Sequence, residues 1–372
     1  MTDKAVVCDF TNDRISNYQR DLNIPMELKR RNFLYFLGTL AAIGLTGASD
    51  ALKGLLRSPK GRLDPRYRKN LFVADGKSLV AIVGGKDIKR MIKESVSLTG
   101  GFDKVGIKGK TILVKPNVVS GRKNPTTTNP EVVKALVSIL YEEGASEVFV
   151  GDMSALWKLP TKGNMEKTGI KRAAEEAGAK VIFFEDYDFF NINLPKGKYI
   201  NNVGVSEWIF KVDRIINLPV IKTHRSATYT ICLKNFIGAT HFRQRPYFVD
   251  SGHWEEVVSE INMAYSPDLN VVDGTKIMVE GGPWQGQEKD TNLIVSSGDR
   301  IATDVIGLCI IKAFGLSKKI SSENVWEQRQ IKRAVEIGLG ARNRDEIKLL
   351  TASLDGNKEF EELIKKVTEK IR

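Results

Sequence analysis

From Leu79 onward, short apolar runs alternate with stretches whose apolar residues recur at helical spacing. Leu79–Val83 is predicted as a strand ending in Gly84-Gly85, and 87–98, with Ile88, Met91, Ile92 and Val96 on one side, as a helix. Strands are predicted at 111–114, 147–150 and 180–184, with helices from Asn129-Pro130-Glu131 to Glu143 and over 164–177. The more polar stretch 186–208 reads as a hairpin on one edge. A strand over 214–218 is stopped by Pro219, which cannot donate to a sheet ladder. Then follow a helix over 254–265, a strand over 270–274, a Gly-rich loop over 278–286 and a strand over 293–296. Helices over 302–314 and 325–337, a strand over 347–350 and a charged helix from Glu359 complete the pattern. β-branched strands alternating with helices predict an α/β fold: a mainly parallel sheet with helices on both faces and antiparallel edge additions. The α/β domain is expected over 79–352, preceded by a linker over 49–78 and followed by a C-terminal helix over 353–372.

Residues 1–28 are polar and carry no core pattern. Lys29-Arg30-Arg31-Asn32-Phe33-Leu34 then precedes an apolar, Gly-rich run without acids to Ala48. This run is shorter than the roughly 20 residues of a spanning helix. Paired arginines, Phe-Leu and a weakly apolar segment together read as a twin-arginine export signal over 1–48. The expected location is across the cytoplasmic membrane, with an uncleaved anchor as the alternative and the twin-arginine translocation machinery as a partner.

Charge narrows the ligand class. The chain of 372 residues carries a formal +12, which favours anionic partners. Aromatic residues are not interleaved with the basic ones, and no helix-turn-helix, finger or ribonucleoprotein motif occurs, so nucleic acid is not an expected partner. Three cysteines, Cys8, Cys232 and Cys309, exclude a four-cysteine iron–sulfur or zinc site within the chain. Cys232 and Cys309 are read as two buried thiols, or as a pair in an oxidising compartment.

Arg214 to Val249 contains no Asp or Glu, yet holds Arg214, Lys222, Arg225, Lys234, Arg243 and Arg245. All three histidines, His224, His241 and His253, lie in or beside it. Donors without carboxylates suit an anionic ligand. Dinucleotide and triphosphate glycine loops, the G-x-S-x-G elbow and H-E-x-x-H are all absent. Chemistry is therefore expected from residues dispersed at strand ends, where open α/β sheets place their ligands. Lys115 and Asn117 follow the second predicted strand and Asp152 the third. Lys222, Thr223 and His224 follow the 214–218 strand, and Asp273 a later one.

Several short motifs occur in a recognisable order: Val114-Lys115-Pro116-Asn117, the Thr-rich loop before Asn129-Pro130, Gly151-Asp152, Asn217-Leu218-Pro219 through Lys222-Thr223-His224, and Lys234-Asn235-Phe236-Ile237-Gly238. Val272-Asp273-Gly274, Glu280-Gly281-Gly282-Pro283, Ser297-Gly298-Asp299, Ala302 with Asp304, and Gly338-Leu339-Gly340 follow. In these, over roughly 80–345, the chain resembles the domain of unknown function family 362. The resemblance implies an α/β fold. Many members carry a ferredoxin-like iron–sulfur segment, which implies redox chemistry; this chain has none, which would move any electron carrier to a separate redox protein. Asn129 stands where members often have His.

The sequence thus leads to an exported enzyme for a small anionic substrate. His224, Lys222 and Asp152 are the candidate catalytic residues, with His224 as a neutral general acid or base. Lys115, Asn117, Thr223, Lys234 and Asn235 are expected to bind substrate. Asp273, Glu280 and His253 are the candidate ligands of a divalent metal. The alternatives are an exported anion-binding protein and a non-catalytic subunit of an exported redox complex. The strand-end groups are expected to line one cleft.

Overall fold

The computed structural model describes residues 57–371; the export motif at Arg30-Arg31 lies outside them. The strands run in order as β1 (Arg62–Leu63), β2 (Val73–Ala74), β3 (Lys77–Gly84), β4 (Thr111–Pro116), β5 (Glu147–Asp152), β6 (Lys180–Phe183), β7 (Phe189–Asn193) and β8 (Asn202–Ser206). They continue as β9 (Arg214–Leu218), β10 (Val220–His224), β11 (Thr228–Thr230), β12 (Leu269–Gly281), β13 (Gly286–Ser297) and β14 (Ile347–Ser353). The main sheet has the order β14-β3-β13-β12-β9-β4-β5-β6, with β10 joined to β12, β11 to β10 and β2 to β3. The fold is α/β with a mostly parallel sheet.

Alternation along the strands explains the layers. On β4, Ile112 and Val114 face one apolar cluster and Leu113 the other. Helices Ile88–Thr99, Pro130–Glu142 and Ile170–Glu176 cover the first face through Met91, Ile92, Leu136 and Ile170. Helices Trp254–Ile261, Arg300–Ala313, Arg329–Ile337 and Lys358–Lys370 cover the second through Val257, Ile301, Ile331 and Phe360. Strands buried on both faces need continuous apolar runs, which is what the sequence carries.

Four placements differ from the expectation. Antiparallel β13 lies inside the sheet, between β3 and β12, rather than at an edge. The 186–208 hairpin, β7 and β8, joins β1 in a separate three-stranded sheet. The expected linker is structured from residue 57: Phe72 is wholly buried, and the Arg66 guanidinium donates to the carbonyls of Ile209, Val212 and Asp213. Pro219 does end β9, but the chain continues at once as β10, so Lys222, Thr223 and His224 lie on a strand rather than past one.

Chain order reverses at β4. Its sequence successor β5 lies on one side and the later β9 on the other. Such a switch point opens a crevice at the carboxyl ends of the strands.

Candidate functional site

The rim of the crevice begins with a polar row across four strands. Lys115 on β4 is paired in register with Asn217 on β9, Asn217 with Asn270 on β12, and Asn270 with Ser297 on β13. Asn235, from the short helix Cys232–Asn235, sits over this row. The amides are linked in one direction. Lys222 Nζ donates to Asn117 Oδ1 at 2.7 Å, and Asn117 Nδ2 to Asn235 Oδ1 at 2.9 Å. Asn235 Nδ2 donates to Asn217 Oδ1 at 2.8 Å, Asn217 Nδ2 to Asn270 Oδ1 at 3.0 Å, and Asn270 Nδ2 to the Ser297 carbonyl at 3.1 Å. The Ser297 carbonyl only accepts, so that end forces the orientation of every amide in turn back to Lys222, which meets the chain with an N–H. All four asparagines are buried, where an unsatisfied amide costs about 1–3 kcal/mol. Asn117 is thereby fixed with its oxygen toward Lys222.

Neighbouring residues hold this geometry. Asp304 accepts from the amides of Cys232 and Leu233, fixing the helix that carries Lys234 and Asn235. The Thr-rich loop is tied down by Thr128, whose hydroxyl accepts from the Asn117 amide and donates to the Leu218 carbonyl. This places the Thr126 carbonyl as the second acceptor of Lys222.

The rim holds three buried or half-buried lysines in two kinds of setting. Lys115 is wholly buried and ion-paired with Asp152 Oδ1 at 2.6 Å, while Asp152 Oδ2 accepts from the Val118 amide. Burial lowers the Lys115 pKa and Asp152 works against that shift. Gly238 packs directly on the pair: a Cβ there would lie 1.9 Å from Asp152 Oδ1. Lys222 has only the two neutral oxygens as acceptors, and its pKa falls well below the lysine range through burial and the nearby Lys234. Lys234 takes no hydrogen bond or ion pair among the described residues; its Nζ lies 4.9 Å from the Trp254 ring centroid. Burial and Arg245 lower it to about 7. Arg245 is buried and, among the described residues, donates only to the carbonyls of Thr240, Met153 and Ser154.

His224 is half-buried, and burial with Lys234 and Lys222 keeps it neutral, as expected. Of the two expected roles, general acid or base, its tautomer suits the donor one. Nδ1 accepts from the amides of Ser226 and Ala227, so the proton lies on Nε2. In this form His224 is a hydrogen-bond donor.

These groups border a cavity of about 580 Å³, within the usual range for small-molecule sites. Asn117, Asp152, Lys222 and His224 line it, so four of the groups expected to converge from strand ends meet here, joined as expected by Lys234 and Asn235 from the short helix. Arg122, Arg225 and Arg245 add positive charge, and Trp157, Trp254 and Trp284 supply apolar wall. Trp284 belongs to the β12–β13 turn, which the Gly281-Gly282 pair brings against β10: Gly282 has φ +73°, and a Cβ there would meet the Thr223 carbonyl at 2.0 Å.

Five chosen residues do not line the cavity. Lys115 lies behind Asp152 and supports it. Thr223 alternates to the opposite face of β10 from Lys222 and His224. Asp273 is consumed by four donors: the Asn129 amide, Asn124 Nδ2, and the Thr275 amide and hydroxyl. It anchors the Thr-rich loop, and burial raises its pKa. Glu280 is on β12 with Oε2 buried and unpartnered among the described residues, and exposed His253 stacks on Tyr199. No group of three metal-ligating side chains gathers among the described residues, so Asp273, Glu280 and His253 do not form the expected metal set. Cys232 and Cys309 are buried free thiols. Arg245, the three tryptophans and the Asn217–Asn270 link were not singled out as site residues from sequence; an asparagine opening the apolar run at 270 is the one signal that pointed there.

Among solved structures, the chain is similar to the lactate racemase apoprotein from Thermoanaerobacterium thermosaccharolyticum, with 11% identity and a TM-score of 0.34, over 78% of this chain and 87% of that one. A thylakoid-associated protein of Synechocystis is 26% identical over 230 residues, 58% of this chain and 67% of the relative. Among the described residues no helix is long and apolar enough to cross a membrane. The model of the family "Domain of unknown function (DUF362)" matches residues 112–308, and the chain belongs to that family.

Proposed function

We propose that the cleft binds a small organic anion and that the protein is an enzyme acting on it. One observation carries this reading. Lys222, Lys234, Arg225 and Arg245 border the cleft without an ion pair among the described residues, while Asp152, the carboxylate on its wall, is already paired with Lys115. Arg225 is exposed, whereas Lys222 and Arg245 are buried and Lys234 half-buried; cations withdrawn from water without a counter-ion gain most from an anionic ligand. Trp157, Trp254 and Trp284 favour an organic anion over a bare inorganic one. Lys222, the His224 Nε2–H and Arg225 would grip the anionic group. Lys234, poised near neutral pH, is the proton acceptor, taking the role the sequence assigned to His224. The donor tautomer of His224 favours a second reading, an anion-binding protein with the same contacts and no chemistry. Titration of the full chain with acetate, phosphate and sulfate tests the anion. Saturable binding should weaken at least tenfold, about 1.4 kcal/mol, in a Lys222→Met, Lys234→Met double variant; equal affinity in both proteins would place the site elsewhere.

Export by way of Arg30-Arg31 is part of the same proposal, and a thylakoid-associated relative supports a place at a membrane system. Replacing both arginines by lysine should hold the protein in the cytoplasmic fraction; unchanged fractionation counts against export.

A further inference from the structure

The cleft amines differ in what they are free to do. Lys222 donates two hydrogen bonds, to Asn117 Oδ1 and the Thr126 carbonyl. Lys234 has no acceptor among the described residues, lines the cavity and lies against the face of Trp254. Burial and the Arg245 guanidinium bring it to about 7, so near neutral pH a large fraction is free amine. The Trp254 face opposes this by favouring the ammonium, but a partly exposed cation–π contact is weak. It is worth less than one pKa unit, and the shift from the ordinary lysine value is larger. An uncommitted amine beside other cations in a desolvated pocket is the setting in which lysine attacks carbonyl carbon.

We propose that Lys234 forms an imine with the carbonyl group of a small oxo acid, whose carboxylate is held by Lys222, the His224 Nε2–H and Arg225. This rests on the anion reading above and names its substrate class. The step balances without an oxidant or reductant. The Nζ lone pair forms the C–N bond as the C=O π pair moves onto oxygen; the oxygen gains a proton and the nitrogen loses one, giving a carbinolamine. The hydroxyl is then protonated and departs as water, and the remaining nitrogen lone pair closes the C=N bond. One water leaves per imine. When the carboxylate binds and Lys222 takes up a proton, it has one N–H beyond those given to Asn117 and Thr126, for that carboxylate or the departing oxygen.

The test is reductive trapping on the full chain. The protein is incubated with glyoxylate or pyruvate near pH 7, treated with sodium borohydride, and read by intact mass and peptide mapping. One adduct per chain is expected, on Lys234, formed at least tenfold faster than at any other lysine, and absent in Lys234→Arg. The wild-type map decides the matter even if that variant folds poorly. Acetate and propionate, which lack the carbonyl, are titrated in parallel. If they bind but no adduct is fixed at Lys234, the imine is overturned and the anion reading stands. An adduct at Lys222 with Lys234 unmodified also overturns it. If neither the carbonyl acids nor acetate bind, both readings fail.

Discussion

At the β4–β5 end of the rim a buried lysine has its carboxylate, and across the crevice two others have none. Lys115 and Asp152 meet at 2.6 Å with the remaining carboxylate oxygen on a backbone amide, so that end is electrically closed. Lys222 and Lys234 face the cavity with neutral oxygens or a ring as company. A paired buried charge contributes geometry, and an unpaired one is an affinity waiting for a ligand. The two ends are coupled through Asn117 and Asn235, so the closed end and the amide chain set where the open end points.

The largest effect should come from opening the closed end. Asp152→Ala strands Lys115 in the interior and should cost about 3–5 kcal/mol in urea unfolding. Lys222→Met removes an amine whose charged form has no counter-ion among the described residues, and leaves Asn117 Oδ1 and the Thr126 carbonyl each short of one donor; its cost should be less than half as large. Equal losses for the two variants would erase the distinction between the ends.

Next in size is Gly238→Ala. Its methyl would enter the space of the Lys115–Asp152 pair, and overpacking of this kind costs about 1–3 kcal/mol. Asn217→Leu cuts the amide chain in the middle and should cost about 1–3 kcal/mol through unsatisfied Asn235 and Asn270 groups. It should also weaken anion binding without touching the cleft, because the Lys115 carbonyl alone then holds Asn235 in its direction toward Asn117. Full affinity in that variant would show that the chain serves stability alone.

The smallest effect is pH dependence. Lys234 titrates near 7 in the folded protein and near the ordinary ~10.4 when unfolded. Between these values the unfolded state holds more protons, so this group makes stability rise with pH across that window. Anion affinity runs the other way: it should strengthen as pH falls through about 7 and the ammonium forms. Both slopes should flatten in Lys234→Met, checked by unfolding and titration at several pH values.

Much of this site was legible in the sequence because each strand end carries its own punctuation. Lys115-Pro116-Asn117, Gly151-Asp152 and Leu218-Pro219 mark where apolar runs stop, and a parallel sheet brings those ends to one edge. Which side of a strand a residue faces was not legible where a strand was missed: β10 restarts after Pro219, and its alternation turns Thr223 away from Lys222 and His224. Cross-strand register was hidden as well, so the row from Lys115 through Asn217 and Asn270 to Ser297 emerges only in three dimensions. Several residues of the family pattern prove to be packing devices. Asp299 caps the helix Arg300–Ala313 and accepts from the Ala341 amide, and a Cβ on Gly340 would lie 2.2 Å from its carboxylate. Sequence pattern does not separate such a carboxylate from a catalytic one; counting its donors does.

The most direct measurement is proton uptake on anion binding. The full chain is titrated with acetate at pH 8 by calorimetry in two buffers of different ionisation enthalpy. At that pH Lys234 is mostly free amine and acetate does not titrate. The predicted result is saturable binding with close to one proton taken up per acetate, lost in Lys234→Met. Saturable binding with no proton uptake would contradict it, because the anion would then not be meeting the unpaired lysine of the cleft.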